Sequence, residues 1–179
     1  NNASATSTIP GTVLKIPALR LLSDAPVGGY GASTTASTTV IRWVDRGRGN
    51  VYEARGNSLD VVTLSNTVVP RIYDSIWNRN LTSFIAATFS DDGTRSEHLF
   101  TEIKLRPVPK VATTTSSTSP QVAQNTTTLT PYELKGKNFP DNIVSYALSP
   151  KKDKIFILIN EQGTGVGYTA NIDGTSLTK

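Results

Sequence analysis

Four arginines in this sequence stand where guanidinium groups could bind an anionic partner. Arg46, Arg48 and Arg95 lie in glycine-containing turns, and Arg71 lies just before a predicted strand. In a repeated antiparallel sheet, such turns share a face with the connections that lead into each first strand. Guanidinium groups bind carboxylates and phosphates through a rigid fork of donors. The sequence predicts a binding site for an acidic glycan, a phosphate-bearing polymer or an acidic protein patch; the alternative is that these arginines only solubilise turns that face different ways.

No catalytic residue is predicted. His98 is the only histidine, it falls in a predicted strand, and the sequence has no Gly-x-Ser-x-Gly elbow, so a structural role is favoured over a Ser-His-Asp triad. Trp43 and Trp77 could stack on sugar rings, but each has aliphatic strand neighbours, which favours core packing. The facing carboxylates of a glycoside hydrolase cannot be recognised from spacing along the chain.

Neither a cofactor nor a metal site is predicted. The chain contains no cysteine, which excludes disulfides and thiolate metal sites. Asp91-Asp92-Gly93 lacks the spacing of a calcium loop. The glycines between Gly163 and Gly167 are not followed by a helix that could place its N-terminus on a phosphate, so a hairpin turn is favoured.

A pattern of turns and strands recurs three times along the chain. A unit of about 42 residues with about four strands is typical of a β-propeller blade. Continuous apolar runs such as Ile155-Phe156-Ile157-Leu158-Ile159 predict strands that are buried on both faces. The predicted inner strands are 29–33, 72–77 and 143–148, and the predicted second strands are 39–44, 83–89 and 154–159. The predicted third strands are 50–54, 97–104 and 166–172, and one outer strand is predicted at 59–65. We expect Tyr52, Phe100 and Tyr168 at equivalent places in the three units.

The predicted fold class is all-β, with antiparallel four-stranded blades. Residues 1–11 are predicted to be a flexible tail, and residues 12–179 contain units at about 19–65, 66–135 and 136–179, with a Ser/Thr/Pro-rich insertion at 107–130. Propellers usually close with four to eight blades, so three blades leave two end faces uncovered. The sequence thus predicts a partial propeller, or one that is completed by other copies.

The third unit resembles the repeat of TolB-like propellers. It reads Ser145-Tyr146-Ala147-Leu148-Ser149-Pro150, then Ile155-Phe156-Ile157-Leu158 and later Ile172-Asp173-Gly174. In that family a Ser-Pro-Asp-Gly-Lys turn precedes an Ile-Ala-Phe type strand and an aspartate-glycine turn. The sequence departs from this pattern at Lys151-Lys152-Asp153-Lys154, and the first unit lacks the Ser-Pro pair. The resemblance implies an extracytoplasmic propeller that serves as a binding platform, and it implies no catalytic residue and no particular partner.

Hydroxyl-rich segments indicate a protein outside the cytoplasm, whether secreted, periplasmic or at a cell surface. Residues 1–11 and 107–130 are rich in Ser, Thr, Asn and Pro, a composition that stays hydrated and resists folding. Sequons begin at Asn2, Asn80 and Asn125. They are compatible with glycosylation and are also expected by chance in such a composition.

The sequence favours a non-enzymatic binding or scaffold module that acts through the loop faces of a propeller. The expected partners are a protein or an anionic glycan on a loop face, and further blades or copies of the chain. Nucleic acid is not expected, because the net charge of +4 does not come from a basic tract. No apolar run approaches the roughly 18 residues of a membrane helix. Two alternatives stay open: a surface structural protein that self-assembles through blade edges, and a propeller hydrolase of a glycan or peptide.

Overall fold

The computed structural model describes residues 19–66, 69, 71–107 and 130–179. These residues form eleven strands and no helix, which confirms the all-β prediction. The predicted tail and residues 108–129 of the predicted insertion lie outside the described residues. The strands are β1 (Val27–Thr34), β2 (Thr39–Asp45), β3 (Val51–Arg55), β4 (Val61–Thr63), β5 (Asp74–Trp77), β6 (Ser83–Phe89), β7 (Ser96–Leu105), β8 (Tyr132–Asn138), β9 (Ile143–Leu148), β10 (Lys154–Glu161) and β11 (Thr164–Asn171).

The strands form three antiparallel sheets, each of which follows chain order. The first sheet is β1-β2-β3-β4, the second is β5-β6-β7-β8 and the third is β9-β10-β11. Beside β11, Thr178 exchanges two backbone hydrogen bonds of 2.8 Å with Thr169, which form an isolated bridge. In the second sheet β8 extends past the predicted boundary at 135. Strand structure resumes at Tyr132, just after the predicted insertion at 107–130.

Equivalent glycines make the turns between the second and third strands of each sheet. Gly49, Gly93 and Gly163 have φ angles of 75°, 70° and 88°. Side chains with a Cβ rarely adopt this left-handed conformation, so glycine is favoured in such hairpin turns. The turns expected from the sequence therefore form where glycine allows them.

The second sheet lies between the other two and has a hydrophobic core on each face. The first core joins Val44 and Val51 of the first sheet to Trp77 and Phe84 of the second. The Trp77 and Phe84 rings stack at 4.5 Å. The second core contains Ile85 and Phe100 of the second sheet and Ile155, Ile157 and Ala170 of the third. Since neighbouring residues of a strand point to opposite faces, both faces of β6 are buried. For the run 155–159 the predicted burial on both faces is wrong, because Phe156 of β10 is 48% exposed on the side of the third sheet that no other sheet covers.

Two glycines let β1 approach β5 closely. A Cβ at Gly31 would lie 2.6 Å from Cδ2 of Leu81 and 2.7 Å from Cβ of Trp77. A Cβ at Gly29 would overlap the side chain and backbone of Ser75. The first and second sheets therefore meet along their inner strands. The β1 side of the contact carries no side chain at Gly29 and Gly31, and the β5 side presents the large aromatic residue Trp77.

An ion-pair cluster crosses the same interface. Glu53 is buried, and its carboxylate lies 2.7 Å from Nη2 of Arg42 and 2.8 Å from Nε of Arg55. Nη1 of Arg42 also donates a hydrogen bond of 2.7 Å to the backbone carbonyl of Leu81 in the second sheet. The cluster thus ties the first sheet to the turn between β5 and β6.

The expectation that Tyr52, Phe100 and Tyr168 are equivalent is wrong for Phe100. All three lie on the third strand of their sheets. Phe100 faces the third sheet and Tyr168 packs on the same core from the opposite side, whereas Tyr52 lies on the outer face of the first sheet with Trp43. A shift of one residue along a strand reverses the face, and the repeat pattern does not fix that shift.

Candidate functional site

Turns lie at two opposite faces of the stacked sheets. The arginine face, as we call it, contains the turns between second and third strands, at 46–50, 90–95 and 162–163, and the connections that lead into each inner strand. The opposite face contains the turns between first and second strands, at 35–38, 78–82 and 149–153. Because the strands are antiparallel, successive turns alternate between these two faces.

All four predicted arginines lie in segments that contact one another on the arginine face. The backbone N–H of Val69 donates a hydrogen bond of 3.0 Å to the carbonyl of Arg48, so the connection before β5 packs on the turn that contains Arg46. The Arg71 guanidinium donates to the carbonyls of Asp91 at 3.0 Å and of Ser90 at 3.4 Å. Arg71 therefore fastens its connection to the neighbouring turn, while the exposed side chains of Arg46 and Arg48 face solvent.

Arg95 lies in a polar groove that also contains carboxylates. The groove has a volume of about 340 Å³ and is lined by Arg95, Glu97, Asp141 and Asn142, among others. A second cavity of about 330 Å³ shares Glu97 and Asp141 with it and adds Asp91. The acidic groups offset the charge of Arg95, so this part of the arginine face offers mixed hydrogen-bonding groups rather than a cationic surface.

The carboxylate of Asp92 is hydrogen-bonded within its own turn. Its carboxylate accepts hydrogen bonds of 2.5 Å from the Ser90 hydroxyl and 3.0 Å from the backbone N–H of Thr94, and these bonds lower the pKa of Asp92 to about 2. Across the described parts of the chain, no group of three or more His, Asp or Glu side chains is arranged to hold a metal ion.

His98 belongs to the interface between the second and third sheets. It is buried, and its ring meets that of Tyr146 edge-on at 4.9 Å. The Tyr146 hydroxyl donates a hydrogen bond of 3.3 Å to Asp74. Burial lowers the pKa of His98, although the charge of Asp74 opposes the shift, and burial raises the pKa of Tyr146. These contacts support the structural role that the sequence favours for His98.

A basic pocket on the opposite face was not anticipated from the sequence. It has a volume of about 280 Å³ and brings together Arg79 from the second sheet and Lys151 and Lys152 from the third. Ser33 and Thr34, at the end of β1, add two hydroxyl groups, and no carboxylate lines the pocket. Asp153, the nearest acidic residue along the chain, accepts a hydrogen bond of 2.7 Å from Ser149 within its own turn.

The basic pocket could be recognised only after the sheets were stacked. Its residues come from three units and are separated by more than 40 positions along the chain. Lys151 and Lys152 drew attention in the sequence only as a departure from the TolB-like turn. The available signal was that cations occupy the first turn of the second and third units, whereas the first unit has only small and hydroxyl residues there.

Comparisons with known proteins identify no family for this chain. A scan against models of protein families, a search of curated proteins and a search of solved structures each found no match. Within the described residues, no helix has the length and apolar character needed to cross a membrane. The resemblance to TolB-like propellers therefore stays a prediction.

Proposed function

We propose that this chain is a non-enzymatic binding module that acts outside the cytoplasm and holds an anionic glycan on a loop face. The observation that carries the proposal is the basic pocket, in which Arg79, Lys151 and Lys152 converge without a carboxylate. Converging cations raise the local concentration of an anionic partner and favour its binding. The hydroxyl-rich composition of the sequence supports the extracytoplasmic setting.

The chemistry of the pocket favours a glycan over a protein surface. Its volume of about 280 Å³ is close to the lower end of the range typical for small-ligand pockets. The hydroxyls of Ser33 and Thr34 can exchange hydrogen bonds with sugar hydroxyls, while the cations bind sulfate or carboxylate groups. Arg46, Arg48, Arg71 and Arg95 stay the sequence-based prediction for the arginine face, where carboxylates beside Arg95 weaken the attraction for anions.

The three stacked sheets are the scaffold that this proposal requires. We propose that they are consecutive blades of a propeller, because the inner strand β1 lies against β5 and β5 is linked to β9 through Asp74 and Tyr146. In a propeller the inner strands surround an axis, so the ends of β1, β5 and β9 converge. The basic pocket lies at such a convergence.

Two charge-matched variants test the proposal. The affinity of the full chain for a heparin tetrasaccharide would be measured by calorimetry at low and at physiological salt, with an uncharged tetrasaccharide as the ligand control. We expect the triple variant Arg79→Gln, Lys151→Gln, Lys152→Gln to bind about tenfold more weakly, because three exposed contacts of roughly 0.5 kcal/mol each are lost. The variant Arg46→Gln, Arg48→Gln, Arg95→Gln removes the same charge from the arginine face and should bind nearly as well as the native chain.

The two variants also separate the possible failures. A loss confined to the arginine-face variant would place the site where the sequence predicted it and would contradict the basic pocket. Equal small losses would indicate non-specific attraction to a basic protein. No measurable binding of the charged tetrasaccharide by the native chain would contradict the glycan-binding proposal.

A second candidate function is self-assembly through blade edges. The edge strand β4 is exposed along its whole length, and Val61 and Val62 are 45% and 47% exposed. An exposed edge with β-branched residues can pair with another strand. A variant with Val61→Pro would remove a backbone donor that points outward from this edge and should lower any edge-driven association seen in light scattering.

A further inference from the structure

The second cavity of the arginine face, of about 330 Å³, lies over one side of the second sheet. Thr88 of β6 pairs with Glu97 of β7, and Leu99 of β7 pairs with Asn138 of β8. Paired residues project to the same face of a sheet, and alternation puts residues 97 and 99 on one face. All four side chains line the cavity, and Val69 of the connection before β5 lines it as well. We call this space the acidic cavity.

Three carboxylates, and no described lysine or arginine, line the acidic cavity. The carboxylates belong to Asp91, Glu97 and Asp141. In the described parts of the chain none of the three forms an ion pair. The nearest cations stand beside the cavity, because Arg71 binds the backbone carbonyl of Asp91 and Arg95 lines the adjoining groove. A group of unpaired like charges in a cleft attracts ligands of the opposite charge.

A buried hydroxyl group in the acidic cavity also lacks a partner. Thr88 is 8% exposed, and its hydroxyl makes no hydrogen bond with another described residue. Among the described side chains, the buried oxygens that lack both a partner and solvent contact are those of Asn50 and Thr101. The Thr88 hydroxyl is not one of these, so it opens into the cavity that it lines. Since buried hydroxyls are normally hydrogen-bonded, its partner has to come from the cavity.

Apolar side chains complete the lining of the acidic cavity. They belong to Val69, Phe89, Leu99 and Phe139. Phe89 is 47% exposed, and its ring lies 4.6 Å from that of Tyr73. The alkyl stem of a cationic group packs along apolar surface while its charged end stays with polar groups, and an aromatic face attracts a cation. The lining therefore offers a surface for an alkyl chain together with carboxylates for ammonium groups.

From these features we infer that the acidic cavity binds a linear aliphatic polyamine, an alkyl chain with two or more ammonium groups. The ammonium groups lie at the carboxylates of Asp91, Glu97 and Asp141, and one of them donates a hydrogen bond to the Thr88 hydroxyl. A metal ion fits less well, because within the described residues no three acidic or histidine groups are arranged to hold one. The cavity volume is within the range of small-ligand sites. The site is independent of the basic pocket, which lies on the opposite face and attracts the opposite charge.

Calorimetry of the full chain with spermidine at low salt tests this inference. We expect saturable binding that weakens as salt is added, because salt screens exposed charges. The variant Glu97→Gln, Asp141→Asn should bind spermidine about tenfold more weakly, and both side chains are exposed, so the fold should be retained. Thr88→Val keeps the shape of the side chain and removes the hydroxyl, so it should bind about threefold more weakly.

The variant Asp24→Asn, Asp60→Asn is the matched control. It removes the same charge from two exposed carboxylates outside the cavity, and it should bind spermidine as the native chain does. The inference is overturned if the native chain shows no saturable binding, or if the control loses as much affinity as the cavity variant. Binding of calcium ions as tightly as spermidine at the same ionic strength would also overturn it, since the site would then suit a compact cation. An unchanged affinity in Thr88→Val would contradict the role given to the hydroxyl.

Discussion

At the scale of single residues, the burial of Glu53 between two arginines has the clearest expected effect on the free energy of unfolding. The side chain of Arg42 is 15% exposed and that of Arg55 is 55% exposed. We expect Glu53→Gln to lower the free energy of unfolding by about 2–4 kcal/mol, because it leaves Arg42 with a buried and unpaired charge. The double variant Arg42→Met, Glu53→Met should recover most of the loss, and Arg55→Gln should cost less than about 1 kcal/mol. Urea unfolding of the native chain and these three variants checks this, and equal losses for Glu53→Gln and Arg55→Gln would contradict it.

A second residue-scale prediction concerns pH. Burial lowers the pKa of His98 below its usual 6.5, so between the lowered value and 6.5 the unfolded chain binds a proton that the folded chain does not. The folded protein should therefore lose stability as the pH falls through this window, and the charge of Asp74 should reduce the loss. His98→Phe should flatten this part of the profile of unfolding free energy against pH. A steeper slope in the variant would show that His98 is charged in the folded state.

The residues of the candidate site show which information a sequence carries. The arginine turns were assigned to one face correctly, because strand alternation and turn glycines determine on which side a turn lies. Their neighbours were not foreseen: Glu97 and Asp141 meet beside Arg95 only after β7 and the connection before β9 are packed together. The basic pocket was missed for the same reason, since Thr34, Arg79 and Lys152 are brought together by stacking of sheets and not by local sequence.

At the scale of strands, prediction succeeded where apolar runs are continuous. The predicted strands 83–89 and 143–148 coincide with β6 and β9. The outer strand predicted at 59–65 is shorter, because only Val61–Thr63 pairs with β3. The inner strand predicted at 72–77 begins at Asp74, because the left-handed Arg71, with a φ of 63°, turns the chain just before it and Ile72 packs in the first core. Outer and inner strands depend on tertiary contacts that local pattern does not contain.

An element-scale prediction concerns the segment between β7 and β8. The two strands pair up to Leu105 and Tyr132, and the backbone N–H of Arg106 donates a hydrogen bond of 2.9 Å to the carbonyl of Pro131. The ends of the segment are thus held by the ladder itself. Replacing residues 108–129 with a short Asn-Gly turn should leave the Tm nearly unchanged or slightly raised, since a shorter loop costs less entropy to close. Differential scanning calorimetry would contradict this if the Tm fell by several degrees.

At the scale of the whole molecule, three sheets are stacked around two cores, and their turns make two loop faces of different character. The arginine face mixes guanidinium and carboxylate groups, whereas the opposite face contains an acid-free pocket of three cations. The outer faces of the first and third sheets carry exposed aromatic side chains, Tyr30 and Phe156. The proposed anion-binding site lies on the face whose pocket lacks carboxylates, so variants of the arginine face should leave binding intact.

The most direct test of the binding proposal is to map the contact of a heparin tetrasaccharide on the isotopically labelled full chain by nuclear magnetic resonance. The account predicts that the largest amide shift changes occur at residues 32–34, 79 and 151–152, where the three sheets meet at the basic pocket. Changes should be small at Arg46, Arg48 and Arg95, and an uncharged tetrasaccharide should produce none of them. Shift changes centred on the arginine face, or spread evenly over all exposed cations, would contradict the assignment of the anion-binding site to the opposite face.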